Sequence, residues 1–263
     1  MTDRASPAEL PQVEDPDFER RFGGLARLYG RDGLERLRAA RVCVIGVGGV
    51  GSWAVEALAR SAVGAITLID MDVIAESNAN RQLQALDPDW GMAKVEALRR
   101  RILAINPACR VTTVDDFLSA ENLDALIGGF DYVIDAIDSV RVKTALAAHC
   151  ARQAVPLVIC GAAGGQIDPT RIQVEDLART IQDPLLSKMR TSLRRQHGFT
   201  RDPKKKFGLL AVYSTEPLRY PEAACEARSG APLNCAGFGS AVAVTASFGF
   251  AAAGAAINAI AGS

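Results

Sequence analysis

The segment Arg41-Val-Cys-Val-Ile-Gly-Val-Gly-Gly-Val-Gly51 limits the folds open to this chain more than any other. An apolar, β-rich run ends in a glycine turn, and an apolar helical pattern resumes directly behind it. Gly46, Gly48 and Gly51 keep the G-x-G-x-x-G spacing that lets backbone N–H groups approach a phosphate at a helix N-terminus. Alone, the turn fits any dinucleotide-binding chain. Two later segments narrow the choice. Leu68-Ile-Asp-Met-Asp72 places Asp70 at the end of the next strand, where a ribose hydroxyl is usually gripped. Ser77-Asn-Ala-Asn-Arg-Gln82 then sets Asn78, Arg81 and Gln82 just beyond it. A dinucleotide site has no need for that trio. A nucleoside triphosphate does, because its extra phosphates need a cation and hydrogen-bond donors.

Further β-rich runs at 65–70, 110–114, 132–137 and 156–160 alternate with helical patterns at 50–61, 91–105, 120–128 and 140–153. An Arg-rich helical pattern at 17–40 precedes them. Such alternation predicts an α/β fold, a Rossmann-like doubly wound and mostly parallel sheet. The alternation stops after Cys160, and residues 172–175 and 209–213 read as added antiparallel strands in the C-terminal part. The expected organisation is a flexible tail at 1–18 followed by a single domain at 19–263. Its nucleotide-binding half covers about 41–160, and its substrate and dimer half about 161–263.

Lys plus Arg equals Asp plus Glu at 30 each, so no global field draws the chain to nucleic acid or membrane. Locally, residues 179–206 carry nine Lys or Arg against Asp183 and Asp202 and end in Lys204–Lys206. A solvated helix face or loop is the ordinary reading of such a run; contact with a phosphate backbone is the sharper one. The six cysteines, at 43, 109, 150, 160, 225 and 235, form no C-x-x-C pair. That argues against structural zinc and a disulfide framework, and for a reducing compartment, the cytoplasm. The N-terminus has no basic stretch leading into an apolar run, so no secretory signal is expected. From Ser229 to Ser263 no charged residue occurs, and 236–261 is long enough to span a bilayer. Its Ala- and Gly-rich composition favours a helix packed inside the protein, with membrane association as the second reading.

Taken in order, Gly46, Gly48, Gly49, Gly51, Asp70, Asp72, Asn78, Arg81, Gln82, Lys94 and Asp138 form a series that resembles the E1-like superfamily of adenylating enzymes. In that superfamily a carboxylate attacks the α-phosphate of ATP, giving an acyl-adenylate and pyrophosphate. The resemblance implies that Asp70, with Asp72 in the D-x-D pair, holds the ribose. It also implies that Asn78, Arg81 and Lys94 contact the phosphates, and that Asp138 serves Mg²⁺. Bland readings stand beside these: Asp72 as a turn cap, Gln82 as a helix-start residue and Lys94 as a solvated helix lysine. Asp135 reads as a second phosphate-side acid or as a hydrogen-bonded core residue.

Two features depart from better-known members. The paired C-x-x-C zinc ligands are missing. Where an R-Y-N-R-Q segment would send an arginine across the dimer into the partner's ATP site, this chain has Arg21-Phe-Gly-Gly-Leu-Ala-Arg-Leu-Tyr29, with Arg27 favoured over Arg21 as the substitute. Both departures suit one branch. Residues 21–30, Val133–Val140, Gly164–Thr170 and Thr180–Leu185 resemble the tRNA threonylcarbamoyladenosine dehydratases from about residue 20 to the end. That resemblance implies ATP-dependent ring closure on a modified adenosine beside the tRNA anticodon. It implies a homodimer, tRNA rather than DNA as partner, and a link to a cysteine desulfurase system. Monovalent-cation binding is an open question. The basic span would then track tRNA phosphates through Arg190, Arg194, Arg195 and Lys204–Lys206. Cys235 matches a cysteine of the branch, with a structural role favoured over a thioester one. Two other readings compete: an activating enzyme for a ubiquitin-like sulfur carrier, which shares all the ATP residues, and an NAD-binding module, which would leave Arg81 and Lys94 without a job.

Overall fold

The computed structural model describes residues 17–220 and 238–262. The tail at 1–16, Cys225 and Cys235 lie outside the described residues. Asp17 and Phe18 leave the expected tail: Asp17 accepts from the Arg20 backbone N–H and caps the first helix, α1 (Phe18–Ala39). α1 kinks at Gly30, whose φ of 77° lies in the left-handed region that favours glycine. The kink folds the helix back on itself, so that the Arg38 guanidinium lies 4.5 Å from the Phe18 ring centroid.

From there strands and helices alternate as expected. β1 (Arg41–Ile45), α2 (Gly51–Arg60), β2 (Ala65–Ile69), α3 (Lys94–Ile105), β3 (Arg110–Val114), α4 (Leu123–Leu126), β4 (Tyr132–Asp135), α5 (Val140–Gln153) and β5 (Leu157–Cys160) follow in turn. Then come β6 (Ile172–Asp176), α6 (Pro184–Gln196), β7 (Leu210–Ser214) and α7 (Val242–Gly262). The sheet order is β3-β2-β1-β4-β5-β7-β6. Every neighbouring pair is parallel except β6 with β7, which pairs antiparallel from Ile172 opposite Ser214 to Asp176 opposite Leu210. The sheet is therefore mostly parallel, with its antiparallel strand in the C-terminal part.

Both faces are covered, which explains why the central strands read as unbroken apolar runs. Alternate side chains serve opposite layers. Val42, Val44, Leu68, Ile134 and Val158 face α2, α3 and α7, while Cys43, Ile45, Val133 and Ile159 face α5 and α6. The chain order reverses between β1 and β4, opening a crevice at the carboxyl ends of the strands where α/β sheets bind ligands.

Candidate active site

A cavity of about 880 Å³ occupies that crevice. Its floor is the glycine turn. Gly46 has a φ of 79°, and a Cβ there would come within 2.8 Å of the Ala136 carbonyl oxygen. A Cβ on Gly51 would fall 1.9 Å from the Gly46 carbonyl oxygen, so the turn from β1 into α2 closes only with hydrogen at both positions. Gly51 thus shapes the turn from beneath, while Gly46, Gly48 and Gly49 line the cavity.

Asp70 leaves β2 at the cavity edge. One carboxylate oxygen accepts from the Val47 N–H at 2.8 Å and the other from the Asp72 N–H at 2.9 Å. These bonds tie the carboxylate to the glycine turn and fix its orientation. Behind it a 3-10 turn, Glu76–Asn78, places Asn78, whose side-chain oxygen accepts from the Ala75 N–H at 3.1 Å. Arg81 lies across Gly49, with its guanidinium donating to Ser77 O and Asn80 Oδ1 at 2.8 Å each. Gln82 is buried beside it and accepts from Gln84 Nε2 at 3.2 Å.

Lys94, at the first turn of α3, is only 5% exposed and reaches Asp72 Oδ2 at 2.6 Å. The solvated-lysine reading fails for a plain reason: the Asp72 carbonyl accepts from the Lys94 N–H, which turns the side chain inward. Asp72 is more than a turn cap, since it holds that ammonium. Asp138 is exposed on the loop after β4 and lines the same cavity. All the phosphate-side candidates therefore meet in one place. Arg27 does not join them: it is exposed on α1 and does not line this cavity. Arg21 is engaged elsewhere, donating to Ile105 O at 2.8 Å at the end of α3.

Sequence reasoning misses two contributors. Lys143 is fully buried, with Nζ 2.9 Å from Asp135 Oδ1 and 3.0 Å from the Ile137 carbonyl oxygen. The Ile137 N–H also donates to Asp135 Oδ1 at 3.0 Å. The pair braces the loop that carries Asp138, and it assigns Asp135 to the core rather than to the phosphates. Burial pushes the Asp135 carboxyl above the usual range, and the Lys143 charge opposes that rise. Nothing in a lone helical lysine announces this role. Phe117, after β3, is 59% exposed yet lines the cavity, as does the exposed Met71 beside Asp70 in the chain. The available signal was an aromatic directly after two aspartates, Asp115 and Asp116.

The residues suit Mg²⁺ with ATP. One exposed carboxylate at a strand end matches an ion that keeps several waters and takes its other ligands from phosphates. Among the described residues no group of three or more His, Cys, Asp or Glu is gathered to hold a metal. Among the described residues the four thiols are buried and none lines the cavity. Burial pushes Cys150 and Cys160 up to about 12 and Cys109 up to about 11, and raises Cys43 as well.

The basic span divides. Arg190 donates to the Thr180 hydroxyl, and Arg194 donates to Thr200 O at 3.2 Å while lying over the Phe207 ring. Both are half-buried and hold α6 to its flanking turns, which corrects their expected place on an open phosphate track. Arg195 and Lys204–Lys206 are exposed.

Comparison with known proteins gives a consistent result. The model of the ThiF family matches residues 23–262. A tRNA threonylcarbamoyladenosine dehydratase of Haemophilus influenzae is 53% identical over 236 residues, covering 89% of this chain and 90% of its own. A molybdopterin-synthase adenylyltransferase of the same organism is 35% identical over 187 residues, covering 68% of this chain and 76% of its own. The crystal structure of the Escherichia coli tRNA N6-threonylcarbamoyladenosine dehydratase in complex with ATP superposes with a TM-score of 0.84 at 52% identity, covering 92% of this chain and 94% of that one. The same enzyme in complex with AMP also gives 0.84.

Proposed function

The chain belongs to the ThiF family, and we infer from that membership, from the cavity and from relatives at 53% identity that it dehydrates N6-threonylcarbamoyladenosine in tRNA at the expense of ATP. The observation that carries this reading is the gathering of Arg81, Lys94 and Asp138 around the glycine turn at the switch point of the sheet. A hydride-transfer site would leave those cations without a purpose. A sulfur-carrier activator would use them equally, but such relatives are less similar and align over less of the chain.

In this reading the threonine carboxylate attacks the α-phosphorus of ATP, and the bond to pyrophosphate breaks. Asp70 holds the ribose, and backbone N–H groups of the glycine turn approach the phosphates. Arg81 and Lys94 offset the charge that builds on the α-phosphate and the departing pyrophosphate, with Asn78 and Gln82 as neutral donors; such stabilisation is commonly the largest catalytic contribution. Bound through Asp138, Mg²⁺ would supply further neutralisation of phosphate charge. A carbamoyl nitrogen or oxygen then attacks the activated carbonyl, AMP leaves with the former carboxylate oxygen, and a proton is released. The substrate has lost one water.

The finer parts of the reading are a homodimer in which Arg27 reaches the partner's phosphates, tRNA phosphates lying along Arg195 and Lys204–Lys206, and a cytoplasmic site of action beside a cysteine desulfurase system. Incubating the protein with ATP, Mg²⁺ and threonylcarbamoylated tRNA should lower the mass of the modified nucleoside by one water. Pyrophosphate release stimulated by a carrier protein with a C-terminal Gly-Gly, and not by tRNA, would sink the reading.

A further inference from the structure

The cavity extends past the strands assigned to ATP, and its far end is built differently. In sheet order its walls come from the loops after β3, β2, β1, β4, β5 and β7. Ribose and phosphates are assigned to β2, β1 and β4. Beyond them lie Gly161–Gly164 after β5, Pro184 and Leu185 at the start of α6, and Leu218 and Phe238. None of these carries a charge, so this end lacks the cations gathered at the other.

It does carry aromatics. The Tyr220 and Phe238 rings meet at 5.1 Å with an interplanar angle of 57°, and Tyr220 is 69% exposed. Their backbones are stitched to one loop: the Gly165 N–H donates to Gly239 O and the Arg219 N–H donates to Gly165 O, both at 2.8 Å. The Phe238 ring packs closely on that loop: a Cβ on Gly165 would come within 2.9 Å of its Cδ1. An exposed tyrosine ring against the cavity-lining Phe238 offers a face to a flat, weakly polar partner, and unstacked bases in RNA are recognised on such rings.

We propose that Tyr220 and Phe238 form the stacking platform for the purine of the target nucleotide, so that this arm of the cavity receives the base while the β1–β4 arm holds ATP. The inference rests on the function proposed above and deepens it. The spacing agrees. About five bonds separate the threonine carboxyl carbon from the purine, roughly 6 Å when extended. From β4 to β7 is two strand spacings, about 10 Å. A carboxylate at the α-phosphate beside β4 therefore places its purine over the loops of β5 and β7. Helix α6 starts at this same end, and the exposed Arg195 in its last turn and Lys204–Lys206 lie further along the same segment.

Tyr220→Leu and Tyr220→Phe test this in the full-length protein. The Leu variant should raise KM for threonylcarbamoylated tRNA roughly ten- to hundredfold, the range for loss of one base stack. Its Kd for ATP, which also reports an intact fold, should not move. The Phe variant, which keeps the ring, should restore KM to within about threefold. Cyclisation with an unchanged KM in the Leu variant overturns the inference alone, whether or not self-association changes. A Phe variant as impaired as the Leu variant also overturns it, because the hydroxyl and not the ring would then be the active element. If the unaltered protein does not cyclise the nucleotide, the function proposed above falls and this inference falls with it.

Discussion

Asp138 and Asp135 sit three residues apart and have opposite surroundings. Asp135 ends β4 fully buried against Lys143, whereas Asp138 opens into the cavity. Replacing Asp138 with Ala should therefore cut ATP–pyrophosphate exchange by roughly two to three orders of magnitude, the usual effect of removing one transition-state stabiliser. The unfolding temperature should stay the same. Near-normal exchange in this variant would remove Asp138 from the site. At this scale the sequence was legible where a residue type and its spacing answered to a nucleotide: Asp70, read for the ribose, and Arg81 and Lys94, read for the phosphates, all line the cavity. It was illegible where the partner came from a different element. Lys143 looks like any lysine on an amphipathic helix, and only the register of α5 against β4 turns it inward. Arg190 and Arg194 show the converse, cations whose partners Thr180 and Thr200 are too ordinary to mark them as engaged.

Elements are joined here by a few polar clamps whose strength depends on pH. Glu56 of α2 accepts from Arg101 of α3 at 2.7 Å and from Arg60 at 2.8 Å, with its own side chain 8% exposed. Burial works to raise the Glu56 carboxyl, and the two guanidinium groups more than offset it, so it lies below its usual value. A carboxyl depressed in the folded state contributes stability that is fully present above its unfolded value, near 4.3. That stability drains away as pH falls through the folded value. Glu56→Gln should thus lower stability by about 1–2 kcal/mol at pH 7, discounted because both arginines are partly solvated. The gap to the unaltered protein should close on acidification below pH 4 or so, as denaturant titrations would reveal; a gap that is constant with pH would mean the carboxylate charge is irrelevant. The basic turn after α6 makes a second prediction. Lys204–Lys206 are exposed, and the Asp202 carboxylate caps their turn by accepting from the Lys204 N–H at 2.9 Å. Reversing all three charges should weaken tRNA binding and flatten the slope of log affinity against log salt by about two, if each lysine meets a phosphate. An unchanged slope would make the run a solvated loop and nothing more.

For the molecule as a whole, the alternation of apolar runs with helical patterns was enough to read a doubly wound sheet, because strands buried on both faces leave no other use for such runs. The C-terminal helix was the ambiguous part. A helix buried on most of its circumference shows no polar stripe, so by length and composition α7, with a mean hydropathy of 1.5, passes equally for a membrane span. Packing supports the interior reading. Val244, Phe248, Ala252, Ala256 and Ile260 share one core with Val44, Ile134 and Val158 of the sheet. A Cβ on Gly249 would come within 2.4 Å of the Val50 carbonyl oxygen, so α7 and α2 touch backbone to backbone. The polar ends are tied as well: Tyr29 donates to Asn258 Oδ1 at 3.0 Å, and Arg36 donates to the Ile260 and Ala261 carbonyls. Moving α7 into a bilayer would break these bonds and open the β4–β7 part of that face to water. The purified protein should accordingly stay in the supernatant after high-speed centrifugation without detergent. Gly249→Val should lower the unfolding temperature by about 2–12 °C, because overpacking of this kind costs about 1–3 kcal/mol and each kcal/mol is worth about 2–4 °C in a chain of this size. Sedimentation with vesicles, together with an unaltered unfolding temperature in the Val variant, would show that the α7–α2 contact is not what holds this helix.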